Sequence, residues 1–114
     1  MKRERQAYNK LETIYLDEVN GCVIFLINQE IFSKDIVLNA SYIMSDRADF
    51  FLDVDEKNHL VVELKSIGKI TLKELIREFN IELLNYAVYK QQSEKNADLR
   101  KTLLKAALET NTKT

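Results

Sequence analysis

The chain has 114 residues, of which 46% are hydrophobic and 31% are charged, and these proportions are typical of one globular domain. Its 17 basic residues nearly balance its 18 acidic residues, which argues against a dedicated nucleic-acid binder, since such proteins carry a basic excess. A single cysteine excludes an internal disulfide, no apolar run is long enough to span a bilayer, and the N-terminus lacks a signal-peptide core. We therefore expect a cytoplasmic protein that contacts neither membrane nor nucleic acid.

The first elements are a polar arm and a hairpin. Residues 1–11 are predicted to form the arm, either loose or helical. The dipeptide Asn20-Gly21 then lies between two strand-like segments, TIYLDEV and CVIFLIN, and favours a two-residue type I′ loop. In that register Leu16 lies opposite Phe25. The second strand is apolar on both faces, so it has more apolar surface than one layer of helices covers.

The hydrophobic period changes between Ile36 and Val54. Apolar residues first recur at helical spacing and then at every second position, which indicates a helix that leads directly into a half-buried strand. The predicted elements of this region are a helix over residues 34–45, a strand over 48–54 and a second strand over 60–65.

The C-terminal third is predicted to be helical. Thr71 and Glu74 have the spacing of a capping box, and the apolar residues after them continue at helical spacing for about six turns. Polar residues 90–98 interrupt this apolar stripe, so we expect a break between two helices near Ser93–Asn96. One kinked helix is the alternative, because the chain contains no proline. Residues 110–114 are predicted to be a disordered tail.

These elements predict an α+β fold of two layers. A β-hairpin, a helix, a second β-hairpin and two C-terminal helices would form a single domain over residues 12–109, around a mixed sheet of three or four strands. The most compact sheet places strand 60–65 between strands 22–28 and 48–54, antiparallel to both.

The sequence offers few groups for chemistry. His59, the only histidine, lies at a predicted turn and is interpreted as a surface residue, and Cys22 as a packed small side chain. One histidine and one cysteine cannot form the usual zinc site within a single chain. The two glycines are both explained by turns, so no phosphate-binding loop is predicted. We predict no catalytic residue, no metal site and no cofactor.

Acidic residues mark one side of strand 48–54. Asp49, Asp53 and Asp55 fall on the side opposite the predicted core, with Phe51 among them. One interpretation is a solvated sheet face. The other is a docking surface, in which Phe51 and Val61 form an apolar strip surrounded by acids. The candidate partner-binding residues are therefore Phe51, Asp49, Asp53 and Val61.

Three segments carry a family resemblance: NASYIMSDRADFFLDVD, EFNIELLNYAVYKQ and LRKTLLKAALE. They resemble the D-protein family of the His-Xaa-Ser peptide-maturation system, over roughly residues 30–108. The resemblance implies a small accessory protein that accompanies radical-SAM-type maturases acting on a ribosomally made peptide, with no cofactor or catalytic residue of its own. The positions that match the family pattern are expected to be architectural, and Tyr42 is a candidate for a hydrogen-bonded core residue. They are Tyr42, Asp46, Arg47, Phe79, Asn80, Leu83 and Leu84.

Three functional hypotheses follow from these observations. The first is a non-enzymatic adaptor that binds a radical-SAM-type maturase, its precursor peptide or both, through a free sheet edge or through the strip around Phe51. The second is a self-associating module, such as a homodimer that pairs through the helices of residues 71–108. The third is a small enzyme that relies on Asp49, Asp53 or Tyr42.

Overall fold

The structure, a computed structural model, describes residues 6–112, and for residues 98, 100, 104 and 106–112 it describes the backbone alone. Five strands and two helices follow one another along this part of the chain. In order they are β1 (Gln6–Ala7), β2 (Ile14–Asp17), β3 (Cys22–Ile27), α1 (Lys34–Ile43), β4 (Ala48–Val54), β5 (Leu60–Ser66) and α2 (Leu72–Thr112).

The strands form one sheet in the order β1-β2-β3-β5-β4, and every neighbouring pair is antiparallel. The α+β class and the central position of β5 between β3 and β4 are confirmed. The predicted mixed sheet of three or four strands differs in detail: β3 and β4 do run in the same direction, but β5 separates them, so no parallel pair forms. The fifth strand comes from the predicted arm, where Gln6 and Ala7 pair with β2.

The register of the first hairpin differs from the prediction by two residues. Leu16 lies opposite Val23 rather than Phe25, and the loop has four residues, from Glu18 to Gly21. Asp17 explains the longer loop, because its carboxylate accepts hydrogen bonds from the backbone N–H and the side-chain amide of Asn20. Because the shift is an even number of residues, every side chain of the hairpin still lies on its predicted face of the sheet.

The core lies between the sheet and the two helices, which pack on the same face. Phe79 of α2 is fully buried at its centre, with its ring 5.0 Å from that of Phe25 and 5.4 Å from that of Phe50. The buried residues around it come from α1, α2 and the strands β3 to β5, and form one continuous cluster. One side of the sheet is thereby covered.

Helix α2 is a single element of 41 residues, which corrects the predicted break near Ser93–Asn96. Its sequence contains neither proline nor glycine, so nothing forces the helix to end where the apolar stripe stops. Thr71 opens the helix as predicted: the backbone N–H of Glu74 donates to the Thr71 hydroxyl at 3.2 Å. The helix includes residues 110–112 of the predicted tail, and residues 113–114 lie outside the described part of the chain.

Two ion pairs join α1 to α2 in an antiparallel arrangement. Asp35, in the first turn of α1, pairs with Lys90 at 2.6 Å, and Arg47, just after α1, pairs with Glu78. Ser33 is the residue before α1, and its hydroxyl donates to the Asp35 carboxylate rather than capping a backbone N–H.

Acid is expected to weaken this contact between the helices. The hydrogen bond from Lys90, reinforced by the one from Ser33, lowers the pKa of Asp35 from 3.8 to about 2. Because the folded-state pKa is depressed, the stabilisation is present above pH 3.8 and is lost as the pH falls through about 2. The stability difference between wild type and Asp35→Asn, measured by urea unfolding, should therefore shrink between pH 4 and pH 2. Lys90→Met should reduce this pH dependence to the smaller part that comes from Ser33. A stability difference between wild type and Asp35→Asn that stays constant over this range would contradict the assignment.

Candidate partner-binding surface

The second side of the sheet is covered by no helix among the described residues. We call this side the open face. The pairing register places its side chains in three cross-strand rows. They are Asp17, Cys22, Lys65 and Asp49 in the first, Tyr15, Ile24, Glu63 and Phe51 in the second, and Leu26, Val61 and Asp53 in the third. Strand β3 is thus apolar on both sides, as predicted, but only one of its sides lies under helices.

An apolar strip runs across the open face. It consists of Tyr15, Ile24, Leu26, Phe51 and Val61. All of these residues except Phe51 line a shallow depression of about 340 Å³. Ile24 is only 3% exposed because its strand neighbours enclose it, whereas Phe51 is 58% exposed. Phe51 therefore presents the largest free apolar side chain of the strip, and the burial of such a ring is a common source of binding free energy.

The strip is bordered by acids. Asp49 and Asp53 project from β4 on either side of Phe51, and Glu63 lies directly opposite Phe51 on β5. Lys65, opposite Asp49, is the one base that the described strands β2 to β5 place on this face. The pairing register places all four candidate residues on one face, as predicted: Phe51, Asp49, Asp53 and Val61. Their role in binding stays a prediction.

Asp55 does not belong to this acidic border. Its carboxylate accepts hydrogen bonds from the backbone N–H groups of Lys57 and His59 in the β4–β5 turn, and it lies 3.3 Å from the His59 ring. These contacts, the one from the His59 backbone first, lower the pKa of Asp55. Asp55 and His59 therefore both have a local structural role in the turn.

Strand β4 forms one edge of the sheet, with β5 on one side and no other described strand on the second. The N–H of Asp55 donates to the carbonyl of His59, and the N–H of Ile67 to that of Arg47. Hydrogen-bonded pairs alternate along an antiparallel ladder, so the odd-numbered residues of β4 bond to β5 and the even-numbered ones point outward. The outward N–H of Val54 is satisfied by the Asp53 carboxylate at 2.8 Å. The backbone groups of Phe50 and Leu52 remain directed at the free edge.

Cys22 lies at the start of β3 on the open face but is only 3% exposed, and its thiol donates to the carbonyl of Asn20 at 3.4 Å. Burial raises the pKa of the Cys22 thiol, and the hydrogen bond with Glu63 raises it further. The packed role predicted for this residue fits both observations.

The Cys22 thiol is accordingly expected to react slowly with a disulfide reagent in the folded protein, because the thiolate is the attacking species and the site must open first. At pH 8 the reaction with Ellman's reagent should be at least about a hundredfold slower than in 8 M urea. Equal rates under the two conditions would show that the thiol is accessible in the native state.

The family-pattern positions divide into buried and exposed residues. Phe79 and Leu83 are core residues, as expected of architectural positions. Tyr42 is 80% exposed, which corrects its interpretation as a core residue: α1 buries Ile36, Val37, Ala40 and Ser41, and Tyr42 projects from the opposite side of the helix. Asn80 and Leu84 are also exposed.

Asp46 and Arg47 form a local ion pair, with the Arg47 guanidinium 3.4 Å from the Asp46 carboxylate. Arg47 also reaches Glu78, and this second contact ties the α1–β4 junction to α2. Both residues therefore have an architectural explanation.

The residues considered for a small active site do not converge. Asp49 and Asp53 lie on the open face, whereas Tyr42 lies on a helix packed against the other face. Within the described part of the chain, no group of three or more potential ligands could hold a metal ion.

An apolar groove of about 560 Å³ on the helix side was not predicted from the sequence. It lies beside the C-terminal end of β3, where Phe32 and Leu83 help to line it. Leu11 and Ile31, both largely exposed, also line it. The only signal for it in the sequence is that apolar residues such as these occur outside the predicted strands and helices.

Comparison with protein-family models gives a match to the His-Xaa-Ser system protein HxsD over residues 27–113. The searches of curated proteins and of solved structures return no match. Among the described residues, neither helix combines the length and the apolar character needed to cross a membrane.

Proposed function

The chain belongs to the HxsD family of His-Xaa-Ser system proteins, and on this basis we propose that it is a non-enzymatic adaptor of peptide maturation. In this role it binds a radical-SAM-type maturase, the precursor peptide or both, in the cytoplasm. The open face and the adjoining edge of β4 are the proposed binding surface.

The observation that carries the proposal is that one side of the sheet lacks a helical cover among the described residues while it keeps apolar side chains. A sheet with a single helical layer ordinarily shows polar residues on its second face. Here Tyr15, Leu26, Val61 and Phe51 occupy that face, and Phe51 is more than half exposed. A compact apolar strip with a charged border is the composition expected of a protein contact.

An adaptor is favoured over an enzyme by the placement of the polar residues. Asp49 and Asp53 are separated from Tyr42 by the sheet and the helical layer, so these groups cannot act on one substrate atom. Cys22 is buried and its pKa is raised, which opposes a role as a nucleophile.

Two exposed aromatic residues on opposite sides of the molecule supply a matched test. Phe51→Thr removes the ring from the open face, and Tyr42→Ala removes a more exposed ring from the helical side. If Phe51 becomes buried in the complex, its loss should weaken binding at least about tenfold, because burial of such a ring is worth roughly 1.5–3 kcal/mol. Tyr42→Ala should change the affinity by less than about twofold.

The measurement is isothermal titration of the purified chain with the maturase and, separately, with the precursor peptide. Circular dichroism melts of both variants show whether they remain folded. The adaptor proposal fails if the wild-type chain binds neither molecule at micromolar concentrations.

A second function, self-association, is favoured by one specific observation. Leu99 and Leu103, four residues apart on α2, are 58% and 62% exposed. Paired helices would bury this short stripe. Sedimentation of the purified chain distinguishes the two functions: a stable dimer that binds neither maturase nor peptide supports the second.

A further inference from the structure

We propose, as a refinement that rests on the proposed function, that the outer edge of β4 accepts an extended segment of the precursor peptide as an antiparallel sixth strand. A histidine of the segment then lies on the open face beside Asp53.

The backbone of β4 is prepared for such an addition. The N–H and C=O groups of Phe50 and Leu52 point away from β5, and β4, with seven residues, is much longer than the opposite edge strand β1, with two. Proteins usually shorten, cover or interrupt an edge of this length because it can pair with another chain. Here the N–H of Val54 already donates to the Asp53 carboxylate, so it is not available to a sixth strand. The outward backbone groups of Phe50 and Leu52 remain, and they are enough to pair with a short segment.

The charge on the open side of β4 favours a cationic or imidazolium partner. Asp49 and Asp53 lie on that side with Glu63 beside them, and Lys65 offsets only one of these charges. A second copy of this chain would bring another set of aspartates to the same edge, where facing like charges are unfavourable. A histidine-bearing peptide strand meets the same acids with complementary charge.

The alternation of an extended strand fits a His-Xaa-Ser triplet to this edge. Residues two apart share a side, so the histidine and the serine lie together on the open face while the Xaa side chain lies on the helix side. There it meets Leu52 and Val54, which are 37% and 49% exposed. In an antiparallel ladder, directly opposite residues share a side and exchange their hydrogen bonds. The Xaa residue, opposite Leu52, therefore supplies the N–H and C=O that bond to β4.

The test on the protein uses a pair of substitutions at one position. Leu52→Pro removes the outward N–H, and proline is tolerated in an edge strand where that N–H faces solvent. Leu52→Ala keeps the N–H and removes the side chain. The probe is a fluorescently labelled nonapeptide with a central His-Val-Ser triplet and threonine flanks, and the readout is anisotropy at pH 6. Leu52→Pro should weaken binding about tenfold and Leu52→Ala about twofold.

The test on the peptide uses the wild-type chain, so it does not depend on whether a variant folds. N-methylation of the central valine should abolish binding, because that N–H bonds to β4, whereas N-methylation of the histidine should be tolerated. Exchange of the histidine for glutamine should weaken binding up to about fivefold, the range of an exposed ion pair. The reverse N-methylation pattern, or equal binding by Leu52→Pro and Leu52→Ala, overturns the inference.

The two proposals fail in distinguishable ways. If the chain binds the maturase but not the nonapeptide, the edge assignment is overturned and the adaptor role stands. If it binds neither the maturase nor the full precursor peptide, the adaptor role itself is wrong.

Discussion

Replacement of Phe79 by alanine is expected to lower the free energy of unfolding by about 3–5 kcal/mol, the usual cost of removing a large buried ring. Phe79 has no exposed surface and packs against the rings of Phe25 and Phe50, from two different strands. Its removal leaves a cavity between α2 and the sheet that the neighbouring elements cannot fill without moving. A domain of this size has about 5–15 kcal/mol of stability in total, so the variant should be largely destabilised.

Phe51 provides the matched control for this experiment. It is the same residue type, but it is 58% exposed on the open face, so Phe51→Ala should cost less than about 1 kcal/mol. Urea unfolding followed by circular dichroism measures both variants. Equal losses of stability would show that Phe79 is not at the centre of the core.

Replacement of Asp17 by alanine should cost roughly 1.5–3 kcal/mol, because it removes a buried carboxylate that accepts two charge-assisted hydrogen bonds from Asn20. Asp17 is fully buried, and its carboxylate accepts from both the backbone N–H and the side-chain amide of Asn20. These bonds hold the four-residue loop that sets the register between β2 and β3. The loss should appear as a lower urea midpoint at pH 7.

Asp17→Asn tests the same contact more gently, since the amide keeps one acceptor oxygen for the N–H of Asn20. Its cost should fall well below that of the alanine variant. If the asparagine and alanine variants lose the same stability, the hydrogen bonds to Asn20 do not account for the role of Asp17.

The fold was predictable where the hydrophobic period was clear. The change of period between Ile36 and Val54 located both α1 and β4, and the alternation in β5 located the third strand of the core. These patterns survive in the structure because burial on one face determines which side chains point inward. For the same reason the facial assignment of the first hairpin was right although its register was not.

The remaining features depend on interactions that a local pattern does not contain. The loop register depends on the buried Asp17 carboxylate, and the continuity of α2 depends on helix-compatible polar residues that have no need to contact the core. The pairing of Gln6 and Ala7 in β1 depends on backbone contact with β2, and a polar two-residue segment shows no apolar repeat that would predict it. The loop register and β1 are fixed by side-chain or backbone contacts, whereas the length of α2 follows from helix propensity.

The candidate surface was predicted in part. Alternation placed Phe51, Asp49 and Asp53 on one side of β4, and the register brings Val61 beside them. The position of β4 at the edge of the sheet follows from the strand order. The sequence predicted that order only by the argument that it gives the most compact sheet. The exposure of Tyr42 was missed because helical spacing at 36–44 leaves more than one face that could be buried.

The most direct test of the account is to locate the contact surface in a complex. Methyl cross-saturation, with the chain labelled at leucine and valine methyl groups and the maturase or precursor peptide irradiated, compares the two sides of the molecule. The account predicts attenuation of the Leu26 and Val61 signals on the open face and none for Leu84 and Val88, exposed on α2. Attenuation of Leu84 and Val88 with unchanged Leu26 and Val61 would contradict it.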